Sequence, residues 1–270
     1  MLRSVFLLQK MIYLDLLKIS RAKREGDINN MIPKILHYCW FGRGEMPELV
    51  QTCIASWHTH MPDWEFKLWS EDNFDIASAP QYVREAHTAK KYAFVSDYVR
   101  LWALEQEGGL YMDVDFEVYK SFDDLMEQYS AFAGYEGSKK NPVMMGVIAA
   151  EAHHTWIQGM LATYADRRFV REDGSLDMTP NTGYFYDWMT KQGFVADGVE
   201  KDWNNVHILP VECFCPGLTT GENLRCEHTY CEHKGLHSWS GNGGWKNKVL
   251  ALVSPTMKAK LIKLKRKILG

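Results

Sequence analysis

The sequence has no uninterrupted apolar run long enough to cross a membrane, and it has few cysteines for its 270 residues. Lys10 and Asp15 interrupt the apolar opening segment, and no small-residue cleavage site follows it, so neither a spanning helix nor a signal peptide is expected. Six cysteines in a chain of this length do not indicate a secreted disulfide scaffold. We therefore expect a cytoplasmic protein.

Negative charge dominates the middle of the chain, and positive charge dominates its two ends. Residues 1–30 carry six basic and three acidic side chains, and residues 257–270 carry six basic and no acidic side chains. Because the whole chain has a net charge of −3, residues 31–256 carry −12. The negative charge of residues 31–256 argues against nucleic acid as a partner. The basic ends suit a peripheral contact with an anionic membrane. Solvated helical ends are the alternative.

Alternating strand and helix patterns predict an α/β fold with a mainly parallel central sheet. Strands are expected in "KILHYCWFG", "WEFKLWSED", "LYMDVDFEVYK", "AFAGYEG" and "PVMMGVIAAEAHH". Helices are expected in "PELVQTCIASWHTHMP", "VREAHTAKKYAFVSDYVRLWALEQEGG" and "HTWIQGMLATYADRRF". The turn-rich chain from 170 to 250 indicates active-site loops more than a second domain, and no internal repeat is present.

Three segments follow from these patterns. We expect residues 1–30 to form an amphipathic helical appendage, unless they reflect an upstream start codon. Residues 31–250 are expected to form the folded domain, of a size that one hydrophobic core can serve. Residues 251–270 are expected to form a basic amphipathic helix, because apolar side chains recur there at helical spacing among cations.

The stretch "GGLYMDVDFEV" carries the strongest chemical signal. Side chains two apart on a strand share a face, so a continuous strand would bring Asp113, Asp115 and Glu117 together with Tyr111. Burying three uncompensated anions on one face costs several kcal/mol, on the order found for buried charges, unless a cation compensates them. Oxygen donors suit Mg²⁺ or Mn²⁺, especially where a phosphate completes the coordination. A metal–diphosphate site is therefore favoured.

Two alternatives to that site were considered. A solvated edge strand would leave the acids facing water, but the apolar helical stretch before the strand indicates a central position. A calcium loop requires an oxygen ligand at its fifth position and Gly at its sixth, where this chain has Glu117 and Val118. The first alternative stays open, and the second is disfavoured.

Asp97 and Arg100 form a second charged feature, on a helix that leads into the acidic strand. They are three residues apart in "FVSDYVRLWAL", so they share a helical face beside Ser96. A surface ion pair of small worth is the simplest interpretation. The surrounding apolar side chains instead indicate a pair that is partly buried, as in a site for a polar substrate.

Three segments, in order, resemble one enzyme family: "IPKILHYCWFG", "AFVSDYVRLWALEQEGGLYMDVDFEV" and "TYCEHKGLHSW". The family is the glycosyltransferases whose sugar-binding region carries a DXD motif, which includes fungal Golgi mannosyltransferases and bacterial capsular polysaccharide enzymes. The glucosylating bacterial toxins are similar more distantly. The resemblance covers about residues 31 to 245 and implies a GT-A, Rossmann-like nucleotide-sugar transferase fold.

The resemblance implies roles for residues of the first two segments. Asp115 would bind the metal directly, and Asp113 would contact the ribose or a metal-bound water and contribute to the metal site. Asp97 and Arg100 would hold hydroxyls of the donor sugar and, with the two motif aspartates, form the catalytic set. The donor-binding set implied is Tyr38, Trp40, Ser96, Asp97, Arg100, Tyr111, Asp113, Ser238 and Trp239.

The third segment implies the remaining metal ligand. His233 occupies the place of a family histidine five residues before the pair Ser238–Trp239, which would hold the metal or diphosphate. An imidazole ligand favours Mn²⁺ modestly over Mg²⁺. His237 is a competing histidine where relatives have a small residue. A second departure is Tyr184, which follows Thr182–Gly183 where relatives have proline and puts the acceptor side in doubt.

The implied activity is metal-dependent, retaining transfer of a hexose or N-acetylhexosamine. The donor would be a nucleotide-diphosphate sugar, with uridine favoured over guanosine. The acceptor would be a glycan or lipid-linked saccharide in surface polysaccharide synthesis. A front-face reaction needs no dedicated base. Glu117 is therefore expected to support the residues that bind the donor rather than to act as a base.

Three alternatives to that activity stay open. A nucleotide-sugar-binding protein without catalysis would have the same motifs, although nothing in the sequence indicates that catalysis is lost. A glycoside hydrolase is disfavoured, because its carboxylates flank the bond from opposite sides. The cysteines and histidines between 213 and 233 could bind zinc, although their irregular spacing favours metal-free thiols.

Overall fold

The computed structural model describes residues 31–137, 143–217 and 224–235. Within these ranges a seven-stranded sheet is ordered β2-β1-β3-β6-β5-β8-β7, and a separate two-stranded sheet pairs β4 with β9. The strands are β1 Ile35–Cys39, β2 Glu65–Trp69, β3 Gly109–Met112, β4 Phe116–Val118, β5 Ala131–Tyr135, β6 Val143–Ala150, β7 Lys201–Trp203, β8 Val206–Leu209 and β9 Cys231–His233.

Seven α-helices connect these strands in the described ranges. They are α1 Glu48–His60, α2 Gln81–Thr88, α3 Tyr92–Glu107, α4 Asp123–Gln128, α5 Thr155–Ala162, α6 Asn181–Lys191 and α7 Val211–Phe214. The expected termini, residues 1–30 and 251–270, lie outside the described residues. Among the residues described, no helix combines the length and apolar character needed to cross a bilayer.

The α/β prediction is confirmed, and most strands of the large sheet run in one direction. β1 pairs in parallel with β2 and β3, and β5 pairs in parallel with β8. Only β6 and β7 run the opposite way, so five of the seven strands point to the same edge. β3 is central, between β1 and β6, as its apolar surroundings indicated.

Two hydrophobic clusters cover the two faces of the sheet. Along β6 the side chains alternate, so that Met145 and Ile148 join one cluster while Val147 and Ala149 join the other. Helices α2, α3, α5 and α6 pack on the first face, and α1, α4 and α7 pack on the second. Two covered faces explain why the central strands are apolar throughout rather than alternating with polar residues.

One expected helix is two helices. The stretch from Val83 to Gly109 was predicted to be a single helical run, but α2 ends at Thr88 and α3 begins at Tyr92. Lys90 lies between them with a φ of 56°, in the left-handed region that ends a helix, and its N–H donates to His87 O at 2.9 Å. The Gly pair does close α3 as predicted, and Gly108 has a φ of 66°.

The expected acidic strand is also broken, and the prediction of one carboxylate face was wrong. β3 ends at Met112, and Asp113 to Asp115 form a turn in which Phe116 N donates to Asp113 O at 3.2 Å. β4 then leaves the large sheet and pairs with β9. Because the turn redirects the chain, the three carboxylates no longer follow a single strand period.

Candidate active site

A cavity of about 640 Å³ opens at the edge where the co-directional strands end. Cys39 lines it from the end of β1, Asp113 follows β3, and Glu136 follows β5. Gly146 on the antiparallel strand β6 lies between them. Ligands of open α/β sheets bind beyond the carboxyl ends of the strands, at the point where the strand order reverses. Here the order reverses at β1, because β2 lies on one side of it and β3 on the other.

The predicted pair Asp97–Arg100 is buried and lines this cavity. Arg100 Nη2 donates to Asp97 Oδ1 at 2.8 Å, and Nη1 donates to Met145 O on β6 at 2.6 Å. Burial raises the pKa of Asp97 to about 6, although Arg100 opposes the rise. These contacts hold the carboxylate at the cavity wall. The expectation of a buried pair is confirmed.

Asp113 contacts the same arginine, Arg100. Its Oδ1 accepts a hydrogen bond from Tyr111 OH at 2.8 Å and lies 3.3 Å from Arg100 Nη2. No described residue donates a hydrogen bond to its Oδ2. The guanidinium also lies 4.7 Å from the centre of the Tyr111 ring. Arg100 therefore links both aspartates and fixes the first carboxylate of the Asp-x-Asp turn.

Asp115 faces the other wall of the cavity, where β9 brings His233. His233 Nε2 lies 3.0 Å from Asp115 Oδ2, and the imidazole stacks on Phe116 with ring centres 4.7 Å apart. Burial lowers the pKa of His233, but the hydrogen bond and charge of Asp115 outweigh it, so the net shift is upward. All three side chains predicted to bind metal therefore line the same cavity.

Glu117 lies behind this wall. Lys234 Nζ is 2.7 Å from Glu117 Oε2 and 2.9 Å from Glu232 Oε2, and it donates to Tyr119 OH at 3.0 Å. The backbone N–H of Lys234 also donates to Asp115 O at 2.8 Å. Glu117 is not among the residues that line the cavity. It binds the segment that carries His233, in agreement with a supporting role.

The donor set was tested against the expected divalent cation. Two carboxylates and an imidazole that line one cavity have the chemistry that Mn²⁺ accepts, and Asp113 Oδ2 is uncommitted. Within the described part of the chain, however, no three His, Cys, Asp or Glu side chains are placed to hold one ion together. The chemical types of these side chains therefore suit the cation. In the structure His233 and Asp115 hydrogen-bond to each other.

Most of the predicted donor-binding residues line the cavity. They are Trp40, Ser96, Asp97, Arg100, Tyr111 and Asp113. Tyr38 lies elsewhere: its side chain points to the opposite face of β1 from Cys39, and its ring meets Trp57 edge-on at 5.4 Å. Successive strand residues alternate between faces, so Tyr38 contacts the core beside Leu36. Ser238, Trp239 and His237 lie outside the described residues.

The cysteines considered for zinc divide into two environments. Cys213, Cys215 and Cys231 are buried, and Cys226 is exposed. The buried three belong to the core cluster that α1, α4 and α7 cover. Burial raises the pKa of Cys213 to about 12, which opposes the thiolate form that binds zinc. Their surroundings are those of apolar packing residues.

Several cavity residues were not anticipated from the sequence. Lys90 and Lys91 line it from the α2–α3 connection, Asn181 from the start of α6, and Glu136 and Gly146 from the sheet edge. Glu136 could have been found by its position, because it follows β5 directly as Asp113 follows β3. The two lysines had no local signal, since their place in the cavity depends on the break between the helices.

Similarity to known proteins agrees with this geometry. Residues 47–132, which include Asp97, Arg100 and the Asp-x-Asp turn, match the family described as "Glycosyltransferase sugar-binding region containing DXD motif". The sugar-binding region thus contains the aspartates and the arginine of the cavity, while His233 and Glu136 come from later in the chain.

Relatives of the chain include two named glycosyltransferases. "Inositol phosphoceramide mannosyltransferase 3" of Schizosaccharomyces pombe is 28% identical over 118 residues, which are 42% of this chain and 33% of that protein. "Uncharacterized glycosyltransferase L373" of Acanthamoeba polyphaga mimivirus is 24% identical over 230 residues, 78% of this chain and 84% of that protein. The match therefore spans about a third of the fungal protein's length.

Among solved structures, the chain is similar to "PaToxG Glycosyltransferase". The two are 18% identical with a TM-score of 0.40, and the match covers 53% of this chain and 66% of that one.

Proposed function

We propose that this protein is a metal-dependent glycosyltransferase that uses a nucleotide-diphosphate sugar. The observation that carries the proposal is the convergence of Asp97–Arg100 and of Asp113, Asp115 and His233 on one cavity. The first pair supplies a fixed carboxylate and guanidinium for sugar hydroxyls. The second group supplies donors for a cation beside the diphosphate. The cavity that both groups line lies at the strand ends, where ligands of such sheets bind.

Each group has a defined task in the transfer. Asp113 and Asp115, with His233, would hold Mn²⁺ or Mg²⁺, and the bound cation would offset negative charge on the departing diphosphate. Asp97 and Arg100 would orient the donor sugar, because their own hydrogen bonds fix both side chains. Trp40 would lie beside the nucleotide at the end of β1. Lys90 and Lys91 add positive charge at the same cavity.

The finer assignment rests on the family resemblance. We assign retaining transfer of a hexose or N-acetylhexosamine, with a uridine diphosphate sugar as donor and a glycan or lipid-linked saccharide in surface polysaccharide synthesis as acceptor. The name of the fungal relative, inositol phosphoceramide mannosyltransferase, supports a lipid-linked acceptor. A nucleotide-sugar-binding protein without turnover is the second candidate.

The test is a donor panel. Purified protein with Mn²⁺ and each common nucleotide sugar is scored for release of nucleoside diphosphate, with and without a chelator. We expect release from one donor that the chelator abolishes and that Asp115→Ala lowers by about 100-fold or more. Asp63→Ala, at an aspartate paired with Lys34 and outside the cavity, is the matched control and should retain full release.

Two results would contradict the proposal. Metal-dependent donor binding without release, even with acceptor glycans added, would favour the non-catalytic candidate. Neither binding nor release of any nucleotide sugar would remove the nucleotide-sugar assignment altogether.

Peripheral membrane contact is a further part of the proposal. Residues 257–270 carry six cations and lie outside the described residues, and an acidic body with a cationic end suits the inner face of a membrane. Removing residues 257–270 should abolish cosedimentation with vesicles that contain anionic lipid and leave donor release unchanged. Equal sedimentation of both forms would refute the membrane contact.

A further inference from the structure

Glu136 is a charged residue of the cavity to which neither the motifs nor the metal site gives a role. It is the first residue after β5, and it lines the cavity together with Asp113, Gly146 and His233. β6 separates β5 from β3, so Glu136 reaches the cavity from the side opposite β1. Its place is fixed by the sheet, because Tyr135 before it is buried and paired with Val143.

One oxygen of the Glu136 carboxylate is buried and has no hydrogen-bond partner among the described residues. This oxygen is Oε2, which is shielded from solvent. Burial raises the pKa of this carboxyl, and the nearby Asp113 adds to the rise while His233 opposes it. Leaving a buried acceptor unsatisfied lowers stability, so such groups in folded proteins call for an explanation, of which a bound ligand is one.

The surroundings of Glu136 distinguish between two kinds of ligand. The proposed cation already has Asp113, Asp115 and His233 as donors at this cavity, so Glu136 is not needed to bind it. A hydroxyl group requires only one acceptor oxygen and space beside it. The cavity of about 640 Å³ that Glu136 lines provides that space.

We propose that the Glu136 carboxylate accepts a hydrogen bond from a hydroxyl of the sugar that is transferred. The sugar would lie in the cavity that α3 lines with Asp97 and Arg100 and that the end of β5 lines with Glu136. Carboxylates recognise hydroxyl groups through hydrogen bonds that are stronger than those between neutral groups. The assignment rests on the proposed function, and it adds a sugar-binding residue from β5 to the pair on α3.

The experiment compares two ligands that differ only in the sugar. Calorimetry with Mn²⁺ measures the affinity of the nucleotide sugar found in the donor panel and of its nucleoside diphosphate. We expect Glu136→Ala to weaken binding of the nucleotide sugar by about ten- to one hundred-fold and to leave binding of the nucleoside diphosphate unchanged. Glu136→Gln keeps the shape and one acceptor, so it should show a smaller loss in the same direction.

Glu151 provides a matched control. It follows β6 at the opposite edge of the sheet, outside the cavity, and its Oε2 is also buried with no described partner. Burial raises its pKa as well. Both Glu136→Gln and Glu151→Gln replace a carboxylate that has one buried, unsatisfied oxygen, so neither should lower the melting temperature. Only Glu136→Gln should lower affinity for the nucleotide sugar.

Three outcomes would overturn parts of this account in different ways. If Glu136→Ala weakens both ligands equally, the residue acts on the cation or nucleotide and the sugar contact is wrong. If both affinities stay at the wild-type level, Glu136 makes no contact with the donor sugar. If the wild-type protein binds no nucleotide sugar, the proposed function fails before any variant is compared.

Discussion

The carboxylate of Asp113 lies against a backbone that has no room for a side chain. A Cβ added to Gly146 would stand 2.8 Å from Asp113 Oδ2 and 2.9 Å from the Phe116 ring. The backbone also connects the two residues, because Asp113 N donates to Gly146 O at 2.8 Å. The absence of a side chain at 146 therefore sets the position of the first aspartate of the Asp-x-Asp turn.

Gly146→Ala should displace that aspartate. We expect about 1–3 kcal/mol of strain, as in other overpacked sites, and about a tenfold or greater loss in Mn²⁺-dependent binding of nucleoside diphosphate, measured by calorimetry. Gly44→Ala is the control, because a Cβ there would meet nothing within 4 Å. Wild-type binding by Gly146→Ala would show that the position of Asp113 does not limit the site.

The short pairing of β4 with β9 brings the late part of the chain to the cavity. Only three residue pairs form it, with Phe116 opposite His233 and Val118 opposite Cys231. Lys234 reinforces it by contacting Glu117, Glu232 and Tyr119, and its side chain is 28% exposed. So short a pairing is weak by itself. The ammonium group, which separates two carboxylates, therefore determines how firmly His233 is held beside Asp115.

Lys234→Met should loosen β9. Without the cation Glu117 and Glu232 repel each other, so we expect amide exchange in β9 to rise by about tenfold, equivalent to about 1.4 kcal/mol of local stability. Hydrogen exchange with mass spectrometry measures this, and Lys234→Arg should restore most of the protection. Metal-dependent nucleotide binding should weaken in parallel.

The control for this prediction is Lys201→Met. Lys201 pairs with Asp197 at the far edge of the large sheet, and its side chain is 26% exposed, close to that of Lys234. Exchange in β9 should be unchanged in this variant. Equal protection of β9 in Lys234→Met and wild type would show that backbone pairing alone holds the segment.

The stability of the whole molecule depends on histidines that are buried in the neutral form. His37 Nδ1 accepts a hydrogen bond from Trp69 Nε1 at 3.1 Å, so Nε2 carries the proton and donates to Gly108 O at 2.8 Å. Burial lowers the pKa of His37 and of His154 below the usual 6.5. The unfolded chain therefore binds protons that the folded chain does not when the pH falls below 6.5.

Acidification should consequently favour unfolding through His37. The contribution of neutral His37 to the free energy of unfolding is fully present above pH 6.5 and is lost as the pH falls below that value. Buried carboxyls with raised pKa, such as Asp97, act in the opposite direction, so a comparison with His37→Gln isolates the effect. Urea unfolding should show the variant's stability deficit shrinking from about pH 7 to about pH 5, by at most about 1.4 kcal/mol per pH unit. A deficit that is independent of pH would contradict a neutral buried imidazole.

Much of the fold could be predicted from local patterns. Strand β1, helix α1 and strand β2 lie where alternation and helical spacing put them, because each buries its apolar face against the same core. The break between α2 and α3 was missed. The residues around Lys90 have adequate helical propensity, and the left-handed turn there is seen only in the structure, where Lys90 N donates to His87 O and Lys91 N donates to Ala86 O.

In the site, too, residues that are close in sequence could be predicted, and residues from distant segments could not. Asp97, Arg100, Asp113 and Asp115 were identified because they are close in sequence and form a family motif. Glu136 and Asn181 were missed because each is an ordinary residue in its own segment. Their place in the cavity arises only when the ends of several strands are assembled at one edge.

The sequence by itself determined the α/β class and the chemical groups of the site, since residue types and their spacing act within single elements. Tertiary structure alone decided how those groups face one another. The Asp-x-Asp turn is held by β6 through Gly146 and by β9 through Lys234, both distant in the chain. Hydrogen bonds between such distant segments have no signature in local sequence. The direction of Asp115 toward His233, and of Glu117 away from the cavity, follows from them.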